Sequence, residues 1–215
     1  MMRLLGYFRS SSSYRCRIAL NLKGIEYESE SINLRSGAHR DPAFHAINPQ
    51  GLVPALITPD GTALQQSLAI VEWLDEAYPA PPLLPGDPVT RAQARAFAQV
   101  IACEIHPLQN LRVLGHLSEN LDADAEKVRN WLSRWIAEGL AVCEEMLARR
   151  NAESKFCFGD APGMADLCLV PQIFSAARFG VDIGGLTRLN EIHQRCEALP
   201  AFAAAHPARQ PDYEE

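Results

Sequence analysis

The periodicity of apolar positions changes at residue 10. Leu4, Leu5, Tyr7 and Phe8 make a short strand-like run, which breaks into Ser10, Ser11, Ser12 and Ser13. The next segment repeats Arg15, Ile18, Ala19 and Leu22 at helical spacing. This pattern predicts a strand, a tight loop and a helix start. Lys23-Gly24 then supplies a basic last turn and a glycine stop. Residues 27–34 read as a second strand of weak alternation, and residues 35–48 as a polar stretch with a short irregular helix. Residues 53–58 and 62–65 flank Pro59-Asp60-Gly61, a hairpin signal because proline presets the turn and glycine accepts positive φ. Ser67 opens a helix with Ile70, Trp73, Leu74, Ala77 and Tyr78 on one face and Glu72, Asp75 and Glu76 on the other. The predicted order is β-α-β-α-β-β-α.

The pattern then stops at Pro79, Pro81, Pro82, Pro85 and Pro88, a composition that cannot continue a helix. The domain boundary is placed there: residues 1–80 as an α/β domain, 81–88 as a linker and 89–215 as an all-helical domain. Beyond the linker, Ala94, Phe97, Ala98, Ile101 and Ile105 form one stripe, which His106-Pro107 should kink or break. Val128, Trp131, Leu132, Trp135, Gly139, Val142, Met146 and Leu147 form a second. Residues 164–174 are apolar almost all round, as suits a helix at the centre of a bundle.

With 215 residues, 47% hydrophobic and 21% charged, the chain has the composition of a soluble globular protein able to bury two modest cores. A net charge of -6 opposes nucleic-acid binding. No apolar run approaches the length of a membrane span and no signal-peptide pattern opens the chain, so the expected compartment is the cytoplasm. Cys16, Cys103, Cys143, Cys157, Cys168 and Cys196 show neither C-x-x-C pairs nor zinc spacing and read as free thiols, with no metal site expected.

The serine loop is a candidate place for chemistry, although alone it does not identify a function. A serine caps a helix by accepting a first-turn N–H, and spare serines beside it, with the positive end of the helix dipole, stabilise an anion. That anion could be a thiolate, whose pKa such surroundings lower; a plain helix cap is the alternative. The run Tyr7-Phe8-Arg9-Ser10-Ser11-Ser12-Ser13-Tyr14-Arg15-Cys16-Arg17-Ile18-Ala19-Leu20 resembles the S-S-C-x-W-R-x-R-I-A-L signature of zeta-class glutathione transferases. Asn48-Pro49, Val53-Pro54, Gln66-Ser67-Leu68-Ala69-Ile70, His106-Pro107-Leu108-Gln109-Asn110-Leu111, Met164-Ala165-Asp166-Leu167-Cys168 and Arg209-Gln210-Pro211-Asp212 carry the resemblance across the chain. Three positions depart from it. Ser12 stands where the family has Cys, Tyr14 where it has Trp, and Gly163 where it has the Ser or Thr of a capping box with Asp166.

The resemblance implies a thioredoxin-like α/β domain followed by an all-α domain, assembled as a homodimer. It also implies glutathione as coenzyme. Val53, followed by a cis Pro54, would face the tripeptide as an open strand edge. Gln66 and Ser67 would take the γ-glutamyl carboxylate and His39 the glycine end, with His106 and Asn110 across the domain cleft. Among the catalytic candidates Ser10 is first choice for the hydroxyl on the thiolate, Ser12 second and Ser11 support, with Arg15 adding positive potential. Arg9, Arg112 and Arg178 form a separate set expected to hold a dicarboxylate, since arginine's fork matches a carboxylate and stays charged.

The implied reaction is isomerisation of maleylacetoacetate or maleylpyruvate to the fumaryl isomer, by reversible thiolate addition that makes the double bond single while it rotates. The alternatives are a glutathione-consuming transferase acting on α-halo acids or other small electrophiles, and a non-catalytic binding module of the same fold.

Overall fold

Strand β1 (Met2–Gly6) pairs parallel with β2 (Tyr27–Ser31) and antiparallel with β3 (Ala55–Ile57), which pairs antiparallel with β4 (Ala63–Gln65), giving the order β2-β1-β3-β4. This computed structural model describes residues 1–150 and 153–214. A parallel pair requires a crossover, and here it is helix α1 (Ser11–Leu22). The sheet continues through a 3₁₀ turn, Ala38–Arg40, and helix α2 (Pro42–Ile47), and α3 (Ser67–Ala77) follows β4. The result is the thioredoxin-like arrangement expected. Leu5, Ile32, Phe44 and Ala55 form a core cluster on the sheet. Helix α1 packs against α3 and the C-terminal helix α9 (Pro200–Ala205), so residues 11–20 are buried on every side.

The chain divides into one unit of Met1–Leu83 with Ala198–Glu215 and another of Leu84–Glu197. The first break falls inside the proline-rich segment. The second departs from the expectation that 89–215 forms one helical domain. Residues from 198 onward join the first unit because their polar groups are used there. Arg17 Nε donates to the Ala205 carbonyl at 2.9 Å and Asn21 Nδ2 to that of Ala201 at 2.9 Å. Asp212 accepts the Phe8 N–H at 3.0 Å and the Ser31 hydroxyl at 2.8 Å.

The second unit opens with α4 (Pro88–Gln99), capped by Asp87, whose carboxylate accepts the Thr90 N–H. A π segment, Val100–Ile105, and a 3₁₀ turn, His106–Gln109, lead to α5 (Leu111–Asn120). Proline at 107 removes a helical donor, and the chain breaks there as its sequence predicts. Helix α6 (Ala125–Arg149) buries Leu132, Ile136, Leu140, Cys143 and Leu147. That stripe is rotated from the expected one: Val142 is exposed, while Trp131 and Trp135 lie half-buried at its edge. Tryptophan is amphipathic, and Trp131 sends its Nε1–H to the Leu108 carbonyl at 2.8 Å. Gly139 is required by packing, because a Cβ there would come within 2.3 Å of Ile105. Helix α7 (Met164–Arg178) is buried from Met164 to Ile173, and α8 (Thr187–Glu197) closes the unit.

Two smaller corrections concern the first unit. Strand β2 stops at Ser31 rather than residue 34, where Asn33 turns the chain by accepting the Arg35 and Ser36 N–H groups. Helix α3 buries Ile70, Val71 and Leu74, whereas Ala77 and Tyr78 are exposed. At the start of α7, Asp166 accepts the Gly163 N–H at 2.9 Å, but glycine has no side chain to return the bond, so only half of a capping box exists. Asp166 also accepts the Cys157 N–H at 3.0 Å, and its burial raises its pKa against these donors. Among the described residues no helix is long and apolar enough to cross a membrane.

Candidate functional site

The loop between β1 and α1 is held close to the helix by Gly6, where a Cβ would stand 3.1 Å from Ser13 Oγ. Ser10 is the N-cap of α1 and accepts the Ser13 N–H at 3.2 Å. Its hydroxyl lies 3.0 Å from that of Ser12, which donates to the Val53 carbonyl at 3.1 Å. Each hydroxyl has one proton. Since that of Ser12 goes to Val53, the Ser10 proton is the one shared between the two serines. The chain of donors therefore runs from the Ser13 N–H through Ser10 and Ser12 to Val53, and joins the serine loop to the loop before β3. Ser13 is fully buried and accepts the Tyr7 N–H, a structural task. Ser11 and Ser12 are buried, and Ser10 is half-buried.

The Val53-Pro54 bond is cis, as the resemblance implied. The Val53 N–H makes no hydrogen bond among the described residues, so an extended peptide laid beside it would find an unused strand-like donor. At the start of α3, Gln66 has φ 66° and ψ 113°, a conformation that costs a non-glycine residue about 1–3 kcal/mol. Gln66 donates from its amide to Gln50 Oε1 at 2.7 Å. Ser67, buried, accepts Arg15 NH1 at 3.2 Å. His39 lies half-buried in the 3₁₀ turn, its Nδ1 buried and unpartnered; burial, with Arg40 and His45 adding, lowers its pKa and keeps the ring neutral.

Three contributors were not assigned a role from sequence. Gln50 follows the Asn48-Pro49 motif and pairs with Gln66. Arg17 donates to the Tyr7 and Phe8 carbonyls and so ties down the strand end; burial lowers its pKa to about 10, leaving it charged at neutral pH. Asp212 holds the Phe8 N–H beside the loop. All three lie within or next to matched motifs, but nothing in residue type alone separates an internal strut from a surface group.

Arg9 is half-buried in the same loop, its guanidinium 5.8 Å from the Phe8 ring centre. The other expected residues belong to the second unit. His106 opens the 3₁₀ turn, half-buried. Asn110 caps α5, accepting the Arg112 N–H at 3.2 Å, which gives it a structural task. Arg112 and Arg178 are exposed, with Arg178 stacked 4.2 Å over Phe179. A cavity of about 590 Å³ in this unit contains none of the expected residues, and its walls include Arg150, Arg188 and Arg195, all already bonded to carbonyls or carboxylates.

No cysteine of this chain is placed to act as the thiolate. Cys16, in α1, is fully buried, and only Cys103 of the six is exposed. Burial pushes Cys143 up to about 12 and raises Cys157 and Cys196 as well. A thiol whose folded pKa is raised contributes stability below its unfolded value, near 9.0, and that stability is lost as pH rises toward the folded value. Cys143→Ala should therefore flatten the fall of unfolding free energy between pH 9 and pH 10.5 by about 1.4 kcal/mol per pH unit. Urea titrations at those pH values test this, and identical slopes in parent and variant would contradict it.

Residues 9–77 match the family "Glutathione S-transferase, N-terminal domain". The chain is 48% identical to a maleylacetoacetate isomerase of Pseudomonas aeruginosa over 98% of both chains. It is similar to a holo structure of a maleylpyruvate isomerase described as a bacterial zeta-class glutathione transferase, with a TM-score of 0.96, 42% identity and coverage of 99% and 100%. It is equally similar to a maleylacetoacetate isomerase from Methylobacterium extorquens AM1 solved with malonate and glutathione, with a TM-score of 0.95, 43% identity and the same coverage.

Proposed function

The chain belongs to the zeta-class glutathione transferase family of maleylacetoacetate and maleylpyruvate isomerases, and we propose that it is a glutathione-dependent cis-trans isomerase of a maleyl-type keto diacid. The observation that carries this reading is the hydrogen-bonded link from Ser10 through Ser12 to Val53, which joins a loop suited to a thiolate to a loop suited to a peptide backbone. The chain's own residues fit the coenzyme. The Val53 N–H and the Ser67 hydroxyl are donors awaiting acceptors, His39 Nδ1 is a buried ring nitrogen with no partner among the described residues, and the first turn of α3 favours a carboxylate.

Bound glutathione supplies the thiolate that turns the double bond into a rotatable single bond. With glutathione bound, the single Ser10 proton turns from Ser12 to that sulfur, and the α1 N-terminus adds positive potential. Val53 and Pro54 align the tripeptide backbone, Gln66 and Ser67 take its γ-glutamyl end, and His39 its glycine end. His106 and Asn110 complete the coenzyme contacts. Arg9, Arg112 and Arg178 bind the substrate's carboxylates and hold the negative charge that develops as the carbonyl enolises. A cytoplasmic homodimer accords with this reading, and support for it comes from the family alone.

The two candidate substrates share the cis-enedione acid and differ at the far end. Comparing kcat/KM for maleylacetoacetate, maleylpyruvate and dichloroacetate, each with glutathione, tests the proposal. A clear preference for either maleyl compound supports it, and turnover of the halo acid alone would replace it with the transferase reading.

A further inference from the structure

Arg15 is buried to 1% exposure, yet no carboxylate of the described residues pairs with it. Its hydrogen bond is NH1 to Ser67 Oγ at 3.2 Å, while Nε and NH2 are buried with no partner. A buried charge without a counter-ion is strongly unfavourable unless the opposite charge arrives from outside. The contact made by Arg15 points to where that charge arrives. Ser67 is the first residue of α3, an eleven-residue helix whose first-turn N–H groups favour an anion, and Gln66 is held at φ 66° immediately before it.

The hydrogen-bonding capacity of arginine decides what Ser67 can do. A guanidinium has no acceptor, so Ser67 Oγ must accept from Arg15, and its own proton remains for an acceptor elsewhere. The other nitrogens of Arg15 are too buried to touch a ligand. We infer that Arg15 is a positioning residue for the α-carboxylate at the γ-glutamyl end of glutathione: it fixes Ser67 as a donor and supplies the missing counter-charge. This departs from the expectation that Arg15 raises the potential at the serine loop, and it rests on the reading of the α3 N-terminus given above.

The test compares the binding of two tripeptides by calorimetry: glutathione, and an analogue in which 4-aminobutyrate replaces the γ-glutamyl residue and so deletes the α-carboxylate. In the parent protein that deletion should weaken binding about 10- to 100-fold. Arg15→Met should weaken glutathione by a similar factor and leave the analogue within about threefold, the expected signature of a lost charge-assisted contact. The pKa of the bound glutathione thiol should not move. Ser67→Ala, which leaves Arg15 in place, should reproduce the carboxylate-specific loss and keeps the test alive if Arg15→Met fails to fold. Equal weakening of both tripeptides would mean that Arg15 merely supports the fold, and a raised thiol pKa would return it to the serine loop; either overturns the inference. A parent protein that binds both tripeptides equally well also overturns it while leaving the isomerase reading intact, whereas a parent that binds neither removes that reading itself.

Discussion

Ser10→Ala should lower kcat/KM for isomerisation by about 10² to 10³, the cost of deleting one donor to a catalytic anion. The same change should raise the pKa of the bound thiol by about one to two units, because a hydrogen bond to a charged group contributes about 1.5–3 kcal/mol. The resting geometry adds a second expectation. At rest the Ser10 proton goes to Ser12, whose own proton is committed to the Val53 carbonyl, so Ser12 steadies the Ser10 hydroxyl before its proton turns to the thiolate. Ser12→Ala should therefore have a smaller effect, and the double variant should fall close to Ser10→Ala rather than to the product of the two losses. Stopped-flow ultraviolet titration of bound thiolate, with steady-state rates for all three variants, measures this. A silent Ser10→Ala beside a crippling Ser12→Ala would move the thiolate contact to Ser12, leaving the loop in its role.

The second large effect belongs to the arginines. Arg9→Met, Arg112→Met and Arg178→Met should each lower kcat/KM for the maleyl diacid by roughly 10- to 150-fold, since methionine keeps an apolar stem and removes charge-assisted hydrogen bonds of about 1.5–3 kcal/mol. Conjugation of glutathione to a small neutral electrophile should barely change. The ratio of the two activities separates substrate charge from everything else. Parallel loss of both would show that an arginine serves glutathione or the fold instead. Arg112 and Arg178 are exposed, so neither substitution opens a cavity.

Local chemistry made much of the first unit legible. Serine before an apolar helical repeat placed the start of α1, Pro59-Asp60-Gly61 placed the β3–β4 turn with Gly61 at φ 90°, and Ser67 marked the start of α3. What remained hidden depends on distant partners. The return of residues 198–215 to the first unit is fixed by Arg17 and Asp212, two charged side chains whose sequence neighbours do not reveal what they will bind. The α6 stripe was misjudged because two tryptophans dominate any hydrophobic count, although their polar edge keeps them at the margin of the core.

Within the site, the identities of Ser10, Ser67 and Gln66 could be taken from motifs, but the proton order along Ser10, Ser12 and Val53 could not. Nor could the partnerless burial of Arg15. The first depends on the Ser12 hydroxyl meeting a backbone carbonyl 41 residues away and the second on Arg15 meeting Ser67, 52 residues away, and each becomes visible only when those groups are adjacent.

The central claim is that glutathione takes part and is returned. Protein freed of glutathione by gel filtration should show no isomerisation of maleylpyruvate, and a tenth of an equivalent of glutathione per substrate should then carry the reaction to completion with all free thiol recovered. Product that stops at one equivalent of added glutathione, with the thiol consumed, would contradict the account.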